Sequence, residues 1–197
     1  MKLITHSPQI WTIENFLSEQ ECQDLIFFSE NQGYQEATVT LKNSGQNSVQ
    51  NEGKYEQKMM KNVRNNYRFI YQDQQLAQKY WQNLKEFCPQ KIENKEAIGL
   101  NSQFRFYKYE SNQRFKRHID GRVVLENDKE IQESRITFMI YLNEDFEGGQ
   151  TAFDEIEIQP KTGTALCFVH ELKHEGKSVP KGTKYVLRSD IMYSKKE

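Results

Sequence analysis

The stretch "QRFKRHIDG", Gln113 to Gly121, holds one of only four histidines in the chain. It follows "QFRFYKY", Gln103 to Tyr109, an aromatic, alternating run that reads as a strand. In extended backbone, residues i and i+2 project on the same side. His118 and Asp120 can therefore both reach one metal ion. A His-x-carboxylate pair arises by chance about 0.6 times in a chain with four histidines and 28 acids. The pair alone decides nothing; the elements around it and a third ligand must carry the reading.

Downstream of Gln103 the strand pattern continues. "RITFMIYLN", "QTAFDEIEIQP", "GTALCFVH" and "TKYVLRSDIMY" are rich in β-branched and aromatic residues and are separated by Gly, Asn, Asp and Pro clusters. "FEGGQ" and "PKTG" fit tight turns. Upstream, Ser18 and Glu21 form a capping-box pattern, and Cys22, Leu25, Ile26 and Ser29 recur at helical spacing, predicting a helix over 18–30. A second helix begins near Asp73, with Leu76, Ala77, Tyr80, Trp81, Leu84 and Phe87 on one face and Cys88-Pro89 as its end. The polar stretch from Lys42 to Gln57 reads as a mobile loop joining strands such as "ATVTL" and "VRNNYRFIY". Helices first and short strands after predict an α+β chain, a β-sandwich or jelly-roll barrel buttressed by N-terminal helices.

The totals narrow the function classes. With 197 residues the chain suits a single domain, a helical front over about 10–90 and a strand core over about 101–193. Twenty-seven basic residues against 28 acidic ones argue against nucleic-acid binding by bulk charge. No apolar run has the length of a membrane span, and the N-terminus lacks the apolar core of a signal peptide. The three cysteines, Cys22, Cys88 and Cys167, are odd in number and spread along the chain, which suggests reduced thiols and a cytoplasmic location.

His170 and His174 follow the strand "GTALCFV", and either one on a neighbouring strand would complete two histidines and a carboxylate. That set leaves half an octahedron open, which suits ferrous iron in oxygenases; zinc is the competing reading. The segments "FYKYESNQRFKRHID", "RITFMIYLNEDFEGGQTAF", "PKTGTALCFVHELKHEG" and "VPKGTKYVLRSDIMY" together resemble the Fe(II)- and 2-oxoglutarate-dependent dioxygenases of the prolyl 4-hydroxylase type. The resemblance spans roughly 101–193. It lies in the order of a tyrosine, His-x-Asp, a Gly-Gly-x-Thr turn, a distal histidine, and a basic residue ten positions on.

The resemblance implies a double-stranded β-helix fold with His118, Asp120 and His174 as metal ligands and catalytic centre. It implies Fe(II), 2-oxoglutarate and O2 as cofactor and cosubstrates, with ascorbate as a candidate reductant. Tyr109 and Lys184 match the residues that hold the far carboxylate of 2-oxoglutarate. A buried carboxylate needs such a cationic, hydrogen-bonded partner. Arg188 shares the face of Lys184 by strand parity and is the alternative or second contact. Arg64, Asn65 and Asn66 resemble a triplet that reaches the substrate groove, although the family's usual residues after the Arg differ. Arg114, Lys116, Arg117 and Arg122 form a basic rim around the His-x-Asp pair. Thr151 reads as structural, His170 as a packed histidine, and His6 as outside the pattern.

The implied reaction is hydroxylation of a substrate C–H bond with release of succinate and CO2. Peptidyl proline or another amino-acid residue is the default target and a small molecule the alternative. A jelly-roll that binds a metal or ligand without turnover is the rival from another class.

Overall fold

A computed structural model describes residues 1–42, 55–126 and 130–195. The chain begins with a hairpin, β1 (Lys2–Ser7) and β2 (Ile10–Glu14), followed by helix α1 (Glu19–Gln32). Ser18 caps α1: its side chain accepts from the Glu21 amide while Glu21 reaches back to the Ser18 amide. Gly33 ends the helix at φ 83°, a left-handed conformation that glycine adopts without a Cβ penalty. Three strands, β3 (Gln35–Glu36), β4 (Val39–Lys42) and β5 (Tyr55–Lys58), lead to β6 (Tyr67–Gln72). Helix α2 (Gln74–Leu84), capped by the Asp73 carboxylate on the Leu76 amide, runs into a 3-10 turn at Lys85–Phe87.

The remaining strands are β7 (Lys91–Ile92), β8 (Lys95–Leu100), β9 (Gln103–Tyr109), β10 (Phe115–His118), β11 (Val124–Glu126), β12 (Ile131–Tyr141), β13 (Thr151–Ala152), β14 (Glu157–Ile158), β15 (Ala165–Val169), β16 (His174–Gly176) and β17 (Lys184–Ser194). They form two main sheets. The larger runs in the order β1-β2-β15-β12-β17-β9-β6-β3, and the smaller in the order β10-β16-β13-β14.

Period-2 alternation divides the core between two layers. Phe104 and Phe106 of β9, Phe138 and Ile140 of β12, Cys167 of β15 and Leu187 of β17 pack with Ala77, Tyr80 and Leu84 of α2 and Cys22 of α1. The opposite faces of the same strands supply Tyr107, Tyr109, Tyr141, Leu166, Phe168 and Val186, which pack with Phe153, Ile158 and Val179. The central strands β9, β12, β15 and β17 are thus buried on both faces along most of their length. This explains why "ALCFV" is a continuous apolar run rather than an alternating one. Lys184, Val186 and Arg188 share the second face and line one cavity.

Several expectations change in the structure. Val39–Lys42 pairs with Tyr55–Lys58, not with "VRNNYRFIY", whose residues from Tyr67 onward form β6 between β9 and β3. The loop expected over 42–57 lies for the most part, 43–54, outside the described residues. Residues 127–129 lie outside the described residues as well, and Val124–Glu126 before them pair with Ile131, Gln132 and Glu133. The hairpin β1–β2 and strands β7 and β8 had no clear signal: "KLITHS" is exposed at most positions and "KEAIGL" carries a strand-weakening Gly. Cys22, Cys88 and Cys167 are all free and buried. No helix among the described residues is long and apolar enough to cross a membrane.

Candidate metal centre

His118 ends β10, His174 begins β16, and the two are direct register partners across this antiparallel pair. The register brings together two histidines 56 positions apart in sequence. Asp120 follows two residues after His118. Its Oδ1 lies 3.6 Å from His118 Nε2 and its Oδ2 lies 3.6 Å from His174 Nε2. One ligand atom from each of the three residues lies within 4.8 Å of the others, the spacing of a set that can share one ion.

The protonation pattern suits a metal. His118 Nδ1 donates to the Lys116 carbonyl at 2.8 Å and His174 Nδ1 to the Leu172 carbonyl at 3.0 Å. A carbonyl can only accept, so each ring carries its proton on Nδ1 and turns the Nε2 lone pair inward. Burial pushes His174 down to about 4, which keeps it neutral at ordinary pH. Asp120 is 7% exposed, and burial opposes its charge. Arg188, His174 and His118 outweigh that and hold its carboxyl well below the usual carboxylate range. Two imidazoles that turn Nε2 toward one ionised carboxylate are a donor set that fits a divalent cation such as Fe(II).

Surrounding groups fix these ligands. The Phe115 ring stacks on His118 with centroids 3.5 Å apart and planes 15° apart. Thr137 Oγ1 donates to Asp120 Oδ2 at 2.6 Å, and Arg188 Nη1 pairs with Asp120 Oδ1 at 2.9 Å. Arg188 also pairs with the fully buried Asp190 at 3.0 Å, and Arg105 reaches the other Asp190 oxygen at 2.9 Å. His170 is 1% exposed with Nε2 3.4 Å from Asp190, in the layer behind the centre and not among its three donors. Thr137 and Phe115 carried no sequence signal beyond ordinary strand residues.

Lys184 lines the same cavity, 3% exposed. Its ammonium donates to the Gly149 carbonyl and lies 5.4 Å from the Tyr109 ring centroid and 5.2 Å from that of Tyr141. No carboxylate pairs with it among the described residues. Burial pushes it down to about 7. Gly149, at φ 68°, leaves room for this side chain: a Cβ there would lie 3.2 Å from Lys184 Cδ and 2.8 Å from the Phe146 ring. Thr151 is tied to the Tyr141 hydroxyl at 2.7 Å.

Arg64, Asn65 and Asn66 lie beside β10. Arg64 is buried, Asn66 accepts from its Nε at 2.7 Å, and Asn65 Oδ1 accepts from the Arg114 amide at 2.8 Å. Of the basic rim, Arg117 pairs with Asp154 and Arg122 with Glu171; Arg114 and Lys116 are exposed with no ion pair among the described residues. His6 lies far along the fold, bonded to Thr12 Oγ1 at 2.9 Å.

A family model described as the 2OG-Fe(II) oxygenase superfamily matches residues 103–189, a span that contains the whole candidate centre. The chain is similar in fold to the viral collagen prolyl hydroxylase of Paramecium Bursaria Chlorella virus-1, solved as a 2OG complex. Identity there is 21%, the TM-score is 0.60, and the match covers 94% of this chain and 97% of that one. A prolyl-4-hydroxylase from Pseudomonas putida aligns at 14% identity with a TM-score of 0.60, covering 93% and 91%. A prolyl hydroxylase from Trichoplax adhaerens, in complex with a hypoxia inducible factor oxygen degradation domain peptide fragment, aligns at 16% identity with a TM-score of 0.64, covering 94% and 84%. These likenesses establish a shared fold, the 2OG oxygenase jelly-roll. No curated protein matches the chain.

Proposed function

We propose that this chain, residues 1–197 read as one domain, is an Fe(II)- and 2-oxoglutarate-dependent hydroxylase. The observation that carries the proposal is the cross-strand pair His118–His174 closed by Asp120, inside the segment that matches the superfamily. His118, Asp120 and His174 hold the metal; Lys184 and Tyr109 hold the far carboxylate of 2-oxoglutarate. When bound, Fe(II) with 2-oxoglutarate and O2 supplies the C–H oxidation, releasing succinate and CO2.

The protein's part is to bind, orient and exclude water. The backbone carbonyls of Lys116 and Leu172 keep the imidazole lone pairs turned inward, and Thr137 and Arg188 grip the carboxylate. Lys184 presents a buried amine that has no carboxylate partner among the described residues, and it takes up a proton when a dianion arrives. Tyr109, buried, has its hydroxyl pushed up to about 12 by burial, so it stays a neutral donor. Arg188 is already engaged by Asp120 and Asp190, which favours Lys184 for the cosubstrate.

The substrate is a peptide or protein residue, proline by default. This reading is supported by the fold shared with prolyl hydroxylases, one of them seen with a peptide. The three free thiols support a reducing, cytoplasmic setting. Incubation of the protein with Fe(II), ascorbate and 2-oxoglutarate tests the reaction. Succinate release that needs all three ligands supports it. Binding of metal and 2-oxoglutarate with no succinate under any condition points to a binding module instead.

A further inference from the structure

Four guanidiniums converge on the buried Tyr107. Arg64 lies over its ring at 4.5 Å, and Arg68 is its register partner on β6. Arg105 and Arg188 also act on it: burial alone would raise the Tyr107 phenol, yet Arg64, Arg188 and Arg105 pull it below its usual value. Among the described residues, two carboxylates pair with this group. Asp190 takes Arg105 and Arg188, and Asp120 takes Arg188 while belonging to the metal set. Arg64 and Arg68 are left without a carboxylate among the described residues.

Both are held by neighbouring side chains. Arg64 is 5% exposed and clamped between the Tyr107 ring and the Phe115 ring, the latter at 4.3 Å. Its Nε is committed to Asn66, but its Nη2 is buried with no hydrogen-bond partner. A buried guanidinium donor left unmade is costly and marks a place for an acceptor. Arg68 is half-buried and makes one neutral bond, Nη2 to Thr38 Oγ1 at 3.1 Å. Burial first, and then the charges of Arg64 and Arg105, disfavour its cationic form, opposed by Tyr107. Phe115 joins this pair to the metal centre, since its ring contacts Arg64 on one side and His118 on the other. Arg114 and Lys116, exposed and unpaired among the described residues, extend the same positive field along β10.

We infer that Arg64 and Arg68 form an anion-binding subsite beside the metal centre, which takes a carboxylate or phosphate carried by the substrate near the residue to be oxidised. The inference rests on the proposed hydroxylase reading and adds a substrate class to it: acidic or phosphorylated segments rather than neutral ones. Planar guanidiniums recognise both oxyanions in forked geometry. Arg64 supplies the desolvated donor, Arg68 the half-exposed one, and Phe115 ties occupancy of the subsite to the position of His118.

The test uses the full, metal-free chain and fluorescein-labelled peptides built on one proline-centred sequence. Each peptide carries Glu, Gln or phosphoserine at one position near the proline, and the position is scanned. Anisotropy should show the Glu or phosphoserine form binding at least about tenfold more tightly than the Gln form at one position. Whichever anionic form wins names the natural source. The preference should fall below about threefold in Arg68→Gln and in Arg64→Lys, with Mn(II) affinity unchanged as the sign of an intact centre; if Arg64→Lys does not fold, Arg68→Gln carries the test. Equal binding of charged and neutral forms, no binding by any form, or a preference that survives Arg68→Gln overturns the inference. Because no turnover is measured, failure of the hydroxylase reading shows separately, as absent succinate.

Discussion

Arg188 and Asp120 form an ion pair of 2.9 Å at the wall of the metal centre, and the same guanidinium holds Asp190 at 3.0 Å. One cation thus bridges the candidate metal ligand Asp120 and a buried carboxylate behind it, which Arg105 also pairs. Removing one partner of a buried pair exposes the other's unmet charge and costs about 3–5 kcal/mol. Arg188→Met should therefore lower the melting temperature of the metal-free protein markedly. A bound divalent ion replaces part of the missing charge on Asp120, so Mn(II) should raise the melting temperature of the variant more than that of the parent. An equal metal-induced rise in both would show that Arg188 does not balance the charge of Asp120.

Lys184 leads to a pH dependence. Folded, it loses its proton at about 7, against ~10.4 for a free lysine. Between these values the unfolded chain binds more protons than the folded one, so stability of the ligand-free protein rises with pH across that window. The total rise is at most roughly 5 kcal/mol, at ~1.4 kcal/mol per pH unit. Denaturant unfolding at several pH values checks this, and in Lys184→Met the contribution should vanish.

The same group predicts how cosubstrate binding depends on pH. A 2-oxoglutarate carboxylate favours the charged ammonium, so binding couples to proton uptake above about 7. Affinity for 2-oxoglutarate should fall by up to about tenfold per unit as pH rises beyond that point. Lys184→Met should bind 2-oxoglutarate at least about tenfold more weakly at neutral pH, with a flat profile and metal affinity intact. A titration of the Mn(II)-loaded protein reads both. An equal loss at Arg188→Met with none at Lys184→Met would transfer the role to Arg188.

Gly163 supports the junction between β2 and α1. Its φ is 71°, its carbonyl accepts from the Phe16 and Leu17 amides, and a Cβ would lie 2.1 Å from the Leu17 carbonyl oxygen. Gly163→Ala should destabilise by more than about 2 kcal/mol. Chemical denaturation measures it, and a change within about 0.5 kcal/mol would contradict the contact.

Local signals were readable from the residues. The Ser18 capping box and the Asp73 start of the second helix lie where the spacing predicted, because a cap is made by neighbours in sequence. Strand parity put Lys184 and Arg188 on one face, and both line the cavity. Spacing alone did not separate His174 from His170. That choice depends on which residue meets His118 across β10 and β16, a register set by long-range pairing. The partners of Arg188 and the orphaned donor of Arg64 were equally out of reach, since they come from strands distant in the chain. The β4–β5 pairing was missed because a polar segment with no apolar alternation offers no register.

The central claim is that His118, Asp120 and His174 grip one divalent ion. Mn(II) titration followed by electron paramagnetic resonance tests it most directly, on the parent and on His118→Ala, Asp120→Ala and His174→Ala, each first shown to be folded by circular dichroism. The account predicts one ion per chain in the parent and an affinity loss of at least about a hundredfold in every variant, as expected when one of three protein ligands is removed. Parent-like binding in any of the three, above all in His174→Ala, would contradict it.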